Sequence, residues 1–198
     1  MNERDAKLVQ YLDEAYGKEK ELETALQAHI AMTTKAPYKK RLKEHLKETK
    51  GHARQLERRI KKLGGGGHAT QSIVAKATAA AKGPLHMVRG SGEQEKMLKN
   101  AKTEYFNEHE EISTYLAIET LATKVNDKET AKLARDIRRE EERMAKFLEA
   151  QIKSLANAVA LEEVPAAQRR DASKKTSAGK RKTAASGSRK RKAPARSR

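Results

Sequence analysis

The sequence has no cysteine, so it can form neither a disulfide nor a thiolate metal site. Any bound metal must rely on carboxylate, imidazole and water, donors that suit iron, manganese, magnesium or zinc. No uninterrupted apolar run approaches the roughly 20 residues that span a bilayer. The opening Met1-Asn2-Glu3-Arg4-Asp5 lacks the basic-then-apolar profile of a secretory signal. The expectation is a soluble, cytoplasmic protein with no membrane partner. No nucleophile triad, dinucleotide fingerprint or phosphate loop is present. Gly64 to Gly67 lack the Lys-Ser/Thr and the preceding strand that a phosphate loop requires, and read as a hinge.

Charge is abundant, with 44 Lys and Arg against 27 Asp and Glu and a net charge of +17. It is also uneven. From Pro165 to Arg198 there are 13 basic residues and one acidic, a balance of +12, while the preceding 164 residues carry 31 basic and 26 acidic, a balance of +5. The expected organisation is a helical body over residues 1–160 and a disordered tail over 161–198. The tail holds Lys174, Lys175, Lys180, Arg181, Lys182, Arg189, Lys190, Arg191 and Lys192, spaced by small residues, Gly and Pro. Such a composition buries almost nothing and repels itself. It has no aromatics to stack on bases, so it suits sequence-independent binding to the phosphates of DNA or another nucleic acid. A solubilising run, a nuclear-import signal in a eukaryotic cell and an acidic-membrane binder are the other readings, but 13 charges without an apolar anchor fit phosphate better than lipid.

The body shows helical periodicity in four stretches. The first, Glu3 to Met32, carries a seam of Leu8, Leu12, Ala15, Leu22 and Leu26 with Glu19 in its middle. The second, Pro37 to Leu63, has Leu42, Leu46, Thr49, Ala53, Leu56 and Ile60 on its seam, with His45, Glu48 and His52 crowded along one flank. The third, Glu93 to Thr123, reads as Leu98, Ala101, Tyr105, Ile112, Tyr115 and Ala122, with Glu108 and Glu119 on the same stripe. The fourth, Lys128 to about Val159, has Ala134, Ile137, Met144, Leu148, Ile152 and Leu155 around Glu141. Ser91 with Gln94, and Asn126 with Glu129, are spaced as capping boxes opening the third and fourth helices. Short links join helices one and two and helices three and four. Gly64 to Gly92, with an Ala-rich piece from Ala69 to Lys82 that could form a short helix, is long enough to run the height of a bundle. Two hairpins joined by a long crossover make an all-α, ferritin-like four-helix bundle.

Each seam is interrupted near the midpoint of its helix, at Glu19, at Thr49 with its His and Glu flank, at Glu108 and at Glu141. Helices of similar length packed side by side bring their midpoints to one height, so these groups should meet. Several carboxylates together in a dry interior require protons or cations to offset their charge. Two divalent cations held by about four carboxylates and two imidazoles would neutralise the cluster. The candidate ligands are Glu19, Glu48, His52, Glu108, Glu111 and Glu141, with iron or manganese as the metal. The Glu-x-x-His pair expected twice in such sites is absent, and Met144 stands where the second histidine would be. The competing reading is a metal-free, non-catalytic architectural bundle.

Four segments carry a resemblance: Tyr16-Gly17-Lys18-Glu19-Lys20; His45-Leu46-Lys47-Glu48-Thr49 with Arg54-Gln55-Leu56-Glu57; Glu108-His109-Glu110-Glu111-Ile112 with Tyr115; and Glu140-Glu141 before Leu148. Through them the stretch from about Lys7 to Leu155 resembles the YciF-type ferritin-like proteins. The resemblance implies a ferritin-like bundle, homodimers, an association with stress responses and a dimetal centre. It places family positions on Glu19, His45, Glu48, Thr49, Glu108, His109, Glu111 and Glu141. The glycine-rich crossover and the basic tail lie outside the family pattern. The combined expectation is a nucleoid-associated protein with an iron or manganese site in its bundle and a tail on DNA.

Overall fold

The structure is a computed structural model that describes residues 1–66 and 92–169. The Ala-rich segment, Ser91 and all nine basic tail residues named above fall outside the described residues. Four long helices make up the described chain: α1 (Glu3–Met32), α2 (Ala36–Lys62), α3 (Glu93–Lys124) and α4 (Lys128–Glu163). There is no strand among the described residues. Residues 1–159 form one compact unit; of the second unit, residues 160–198, the described part comprises the end of α4 and a single 3-10 turn, Ala166–Gln168. α4 runs about one turn beyond the expected Val159 because Ala160, Leu161, Glu162 and Glu163 are good helix formers, and Pro165 then restricts continuation.

Local chemistry sets the helix ends. Asn2 caps α1, its side-chain oxygen accepting from the Asp5 amide at 2.8 Å. α2 ends in a Schellman turn in which Gly65 donates to the Ile60 carbonyl at 2.9 Å and Gly64 to that of Lys61 at 3.0 Å. Gly64 takes φ 83° and Gly66 φ 107°, so the expected hinge is, over its described residues, a built helix stop. The α3–α4 corner differs from the expected capping box. Asn126 sits at φ 59° and closes a second Schellman turn, with Asp127 donating to Ala122 at 2.8 Å. Asp127, not Asn126, caps α4, accepting from the Thr130 amide at 3.0 Å.

The buried side chains form two apolar clusters. One contains Leu8, Leu12 and Ala15 of α1, Leu56 and Ile60 of α2, Tyr115, Ile118 and Ala122 of α3, and Ala131, Ala134 and Ile137 of α4. The other contains Leu26, Tyr38, Leu42, Met97, Ala101, Met144, Leu148 and Leu155. α1 and α4 enter the first cluster early and the second late; α2 and α3 do the reverse. Thus α1 and α4 run one way and α2 and α3 the other, and the chain from the end of α2 to the start of α3 must span the bundle height, about 40 Å for a helix of 27 residues. This is the ferritin-like topology expected from the sequence. It leaves a slab between the clusters that every helix crosses at mid-length.

The second hairpin is fixed to α2 at one corner. Arg59, buried, donates to Thr130 Oγ1 at 2.7 Å, to Glu129 Oε2 at 2.7 Å and to Asp127 Oδ2 at 2.5 Å. Although Asp127 is partly desolvated, the Thr130 amide and the guanidinium hold its carboxyl below the usual carboxylate range.

Candidate metal centre

The slab between the two clusters is filled by ionisable side chains. Glu19, His45, Thr49, His52, Glu108, Glu111 and Glu141 are all buried, none more than 3% exposed. α3 contributes Glu108 and Glu111, in a register different from the expected one. Its inward stripe is Met97, Ala101, Glu104, Glu108, Glu111, Tyr115, Ile118 and Ala122, while Leu98, Tyr105 and Ile112 flank it, half-buried. Glu119 is off the stripe and accepts from Arg135 Nε at 2.7 Å and Arg138 Nη2 at 3.0 Å of α4. On α2 the register also rotates: His45 and His52 point into the core beside Thr49, and Leu46 moves to the flank. The Thr49 hydroxyl donates to the His45 carbonyl at 3.1 Å and takes no further part.

Two groups of donors converge, with Glu141 common to both: Glu19, His52 and Glu141, and His45, Glu108 and Glu141. In the first, His52 Nδ1 lies 3.0 Å from Glu141 Oε1 and 3.4 Å from Glu19 Oε1. In the second, His45 Nε2 lies 3.0 Å from Glu108 Oε1 and 3.7 Å from Glu141 Oε2. Each oxygen of Glu141 therefore faces a different imidazole. Glu111 is buried in the same layer. Glu48 is set apart: half-buried, it lies 3.1 Å from the outer nitrogen of His45, Nδ1, and accepts from Arg41 at 3.0 Å. His109 points outward, its Nδ1 donating to the Tyr105 carbonyl at 2.8 Å and its ring lying against that of Tyr105.

The charges in this layer answer one another. Burial would lower the His45 imidazole, but its contacts with Glu108, Glu48 and Glu141 together outweigh it and raise the group to about 10. His52 is likewise raised, against burial, to about 11 by its contacts with Glu141 and Glu19. Burial pushes Glu108 up to about 8. Glu111 is held well above the usual range by burial and by repulsion from Glu19, Glu141 and Glu108. Burial raises Glu19 too, while Glu141, though buried, is held down by its contacts with His52 and the charge of both histidines. Metal-free, the layer thus sets two imidazolium groups against the carboxylate of Glu141, with Glu111 keeping its proton.

The donor set fits a pair of divalent cations. Glu19 Oε2, Glu108 Oε2, Glu111 Oε1 and both oxygens of Glu141 are buried without a hydrogen bond, and His52 Nδ1, though 3.0 Å from Glu141, is not aligned for one. Donors held about 2.1 Å from a shared ion lie about 3 Å from each other, which matches the shorter contacts here. Nitrogen and carboxylate oxygen in mixed sets suit iron, manganese or zinc. The Tyr115 hydroxyl, buried and raised well above its usual range by burial and Glu19, donates a short hydrogen bond to Glu19 Oε1, leaving Oε2 as that residue's free donor.

Beside this layer lies a second polar group. Glu104 accepts from Tyr38 at 2.8 Å and lies 2.6 Å from His29 Nδ1, and a small cavity lined by Leu22, Leu26, His29, His45, Glu104 and Glu108 connects the two. His29 and Glu104 belong to no candidate set read from the sequence. A glutamate four residues before Glu108 was the signal available.

A family model described as Domain of unknown function (DUF892) matches residues 4–161. The chain belongs to the DUF892 family. Solved structures agree with the fold of this DUF892 bundle. A protein from Xanthomonas campestris pv. campestris is 24% identical with a TM-score of 0.65, covering 82% of this chain and 99% of that one. A structure titled ferritin like, diiron-carboxylate proteins, from Bacillus anthracis str. Ames, is 20% identical with a TM-score of 0.56 over 77% of this chain and 99% of that one. The E. coli stress protein YciF is 19% identical with a TM-score of 0.58 over 79% and 99%. No curated protein matches the sequence. The resemblance to YciF-type proteins thus holds for family and fold, and among the described residues no helix of the DUF892 bundle is long and apolar enough to cross a membrane.

Proposed function

We propose that the bundle binds two divalent transition-metal cations, iron or manganese, in its polar layer, and that the basic tail places this site on nucleic acid. Glu19, His52 and Glu141 would hold one cation and His45, Glu108 and Glu141 the other, with Glu111 as a further carboxylate at hand. The observation that carries the reading is Glu141, whose two oxygens each face a different imidazole, an arrangement suited to a bridging carboxylate. When bound, such a pair supplies one-electron exchange and Lewis acidity, so that Fe(II) with oxygen or peroxide is the reaction to test. The chain's own part is to exclude water between two apolar clusters, to fix Glu19 through Tyr115, and to supply enough carboxylates to neutralise the loaded layer. Neutrality after loading follows from charge: two divalent cations balance Glu19, Glu108, Glu111 and Glu141 once both imidazoles are neutral.

The tail, Pro165 to Arg198, supports binding to phosphate through its 13 basic residues, and the fold shared with the E. coli stress protein YciF supports an association with stress. Fe(II) oxidation by purified protein, compared with Glu108→Ala, tests the chemistry: a clear loss of rate in the variant is expected, and identical rates would remove the enzymatic claim. A metal-free architectural bundle is the second reading. It is favoured by Met144, fully buried in apolar surroundings where a second histidine would complete the Glu-x-x-His pattern.

A further inference from the structure

Both histidines of the polar layer come from α2, seven residues apart, and a helix repeats its face at that spacing, so the two rings would be expected to present the same nitrogen inward. They do not. His45 turns Nε2 towards Glu108 and Glu141, whereas His52 turns Nδ1 towards Glu141 and Glu19. The cause is visible at the outer nitrogens. His45 Nδ1 lies 3.1 Å from Glu48 Oε2, and His52 Nε2 lies 2.9 Å from Glu140 Oε2. Neither carboxylate belongs to the converging donor sets, and both reach the surface, with side chains 32% and 36% exposed. Each also has an arginine near it: Arg41 donates to Glu48 Oε2 at 3.0 Å, and Arg143 lies 3.8 Å from Glu140 Oε1. Glu140 and Glu141 are consecutive on α4 and hold the His52 ring between them, one at each nitrogen.

We infer that Glu48 and Glu140 are positioning residues that fix His45 and His52 in opposite tautomers, so that a cation is received by Nε2 of the first and Nδ1 of the second. A carboxylate accepts but does not donate when ionised, so the ring nitrogen bonded to it must carry the hydrogen, and only the inner nitrogen of a neutral ring has a lone pair to give. Carboxylates behind metal-bound histidines act in this way, setting ring orientation and basicity. Glu48 is therefore assigned to orienting His45 and not to the metal itself. Each arginine–glutamate–histidine chain serves a different cation of the pair, so one site is tuned from α2 itself and the other from α4. This rests on the two-cation reading above.

The test uses the full-length, 15N-labelled protein loaded with Zn(II) as a diamagnetic probe. Long-range 1H–15N correlation is expected to show His45 with its hydrogen on Nδ1 and His52 with its hydrogen on Nε2. In calorimetric Zn(II) titrations, Glu140→Ala should weaken one of two binding events by roughly 10- to 100-fold and leave the other, and Glu48→Ala should do the same to the other event. Glu140→Gln, whose amide oxygen accepts from the same N–H, should recover most of the loss. Identical tautomers in the two rings, or titrations unchanged by both alanine variants, would overturn the assignment while leaving the metal reading in place. A wild-type protein that takes up no Zn(II) would overturn the two-cation reading itself.

Discussion

Replacing Glu111 by glutamine is expected to make the metal-free bundle more stable, and increasingly so as pH rises. Glu111 is buried among Glu19, Glu108 and Glu141, and burial together with their repulsion holds its carboxyl well above the ordinary 4.5 of a free glutamate. With the native group raised, the stability it contributes is fully present below pH 4.5, where both states carry the proton. It is lost as pH climbs and the unfolded chain alone ionises. Each pH unit above 4.5 then costs the native state about 1.4 kcal/mol for as long as Glu111 keeps its proton. Glutamine has the same shape and no titration. Its advantage over wild type should be near zero at pH 4.5 and grow with each step towards pH 6.5. Other raised groups tilt both curves alike, so the difference isolates Glu111. Urea unfolding followed by circular dichroism in chelator, at pH 4.5, 5.5 and 6.5, measures it. Parallel stability curves for the two proteins would refute the reasoning, since they would mean that Glu111 ionises as freely in the fold as outside it.

Other outcomes follow from the same structure. Arg59→Met should lower stability by about 3–5 kcal/mol, because it strands buried Asp127 without its ion pair. Combining it with Asp127→Ala should cost less than the sum of the single losses in denaturant titrations. Two glycines of α2 and its cap should respond oppositely to alanine, as thermal unfolding can show. At Gly65 a Cβ would lie 2.6 Å from Val9 Cγ1 and 2.9 Å from Ile60 Cγ2, costing about 1–3 kcal/mol, whereas at Gly51 the nearest of these atoms is Arg54 at 4.0 Å and alanine should add about 0.5–1 kcal/mol. Deleting Pro165 to Arg198 should abolish retardation of duplex DNA at low salt, and the intact chain should lose affinity steeply as salt rises; unchanged retardation would move the binding surface to the bundle.

Much of the fold was legible from apolar spacing. The seam of α1 and the position of Glu19 emerge as read, and the breaks at mid-helix meet in one layer. α3 is where periodicity misled. Its face carries Glu104, Glu108 and Glu111 inward, while Phe106 and Leu116 are left 70% and 51% exposed. Hydrophobicity therefore pointed to a stripe displaced towards Tyr105 and Ile112, and it placed Glu119 inside. A helix that brings three carboxylates to a core inverts the signal that pattern reading depends on. The orientation of His45 and His52 was hidden for a related reason. Residues at spacings of three and four share a flank, but which of them turns inward is decided by carboxylates on α1, α3 and α4. The network of His29, Tyr38 and Glu104 joins three helices over 66 to 75 residues of sequence, a contact no local pattern contains.

The central claim is that Glu141 serves two cations at once, and a count of bound metal tests it most directly. Chelator-stripped protein, reloaded with Fe(II) or Mn(II) under anaerobic conditions and freed of excess, should retain two equivalents per chain by elemental analysis. Glu141→Ala should retain none, and Glu19→Ala or Glu108→Ala should each keep one. No retention by the wild type, or two equivalents still held by Glu141→Ala, would contradict it.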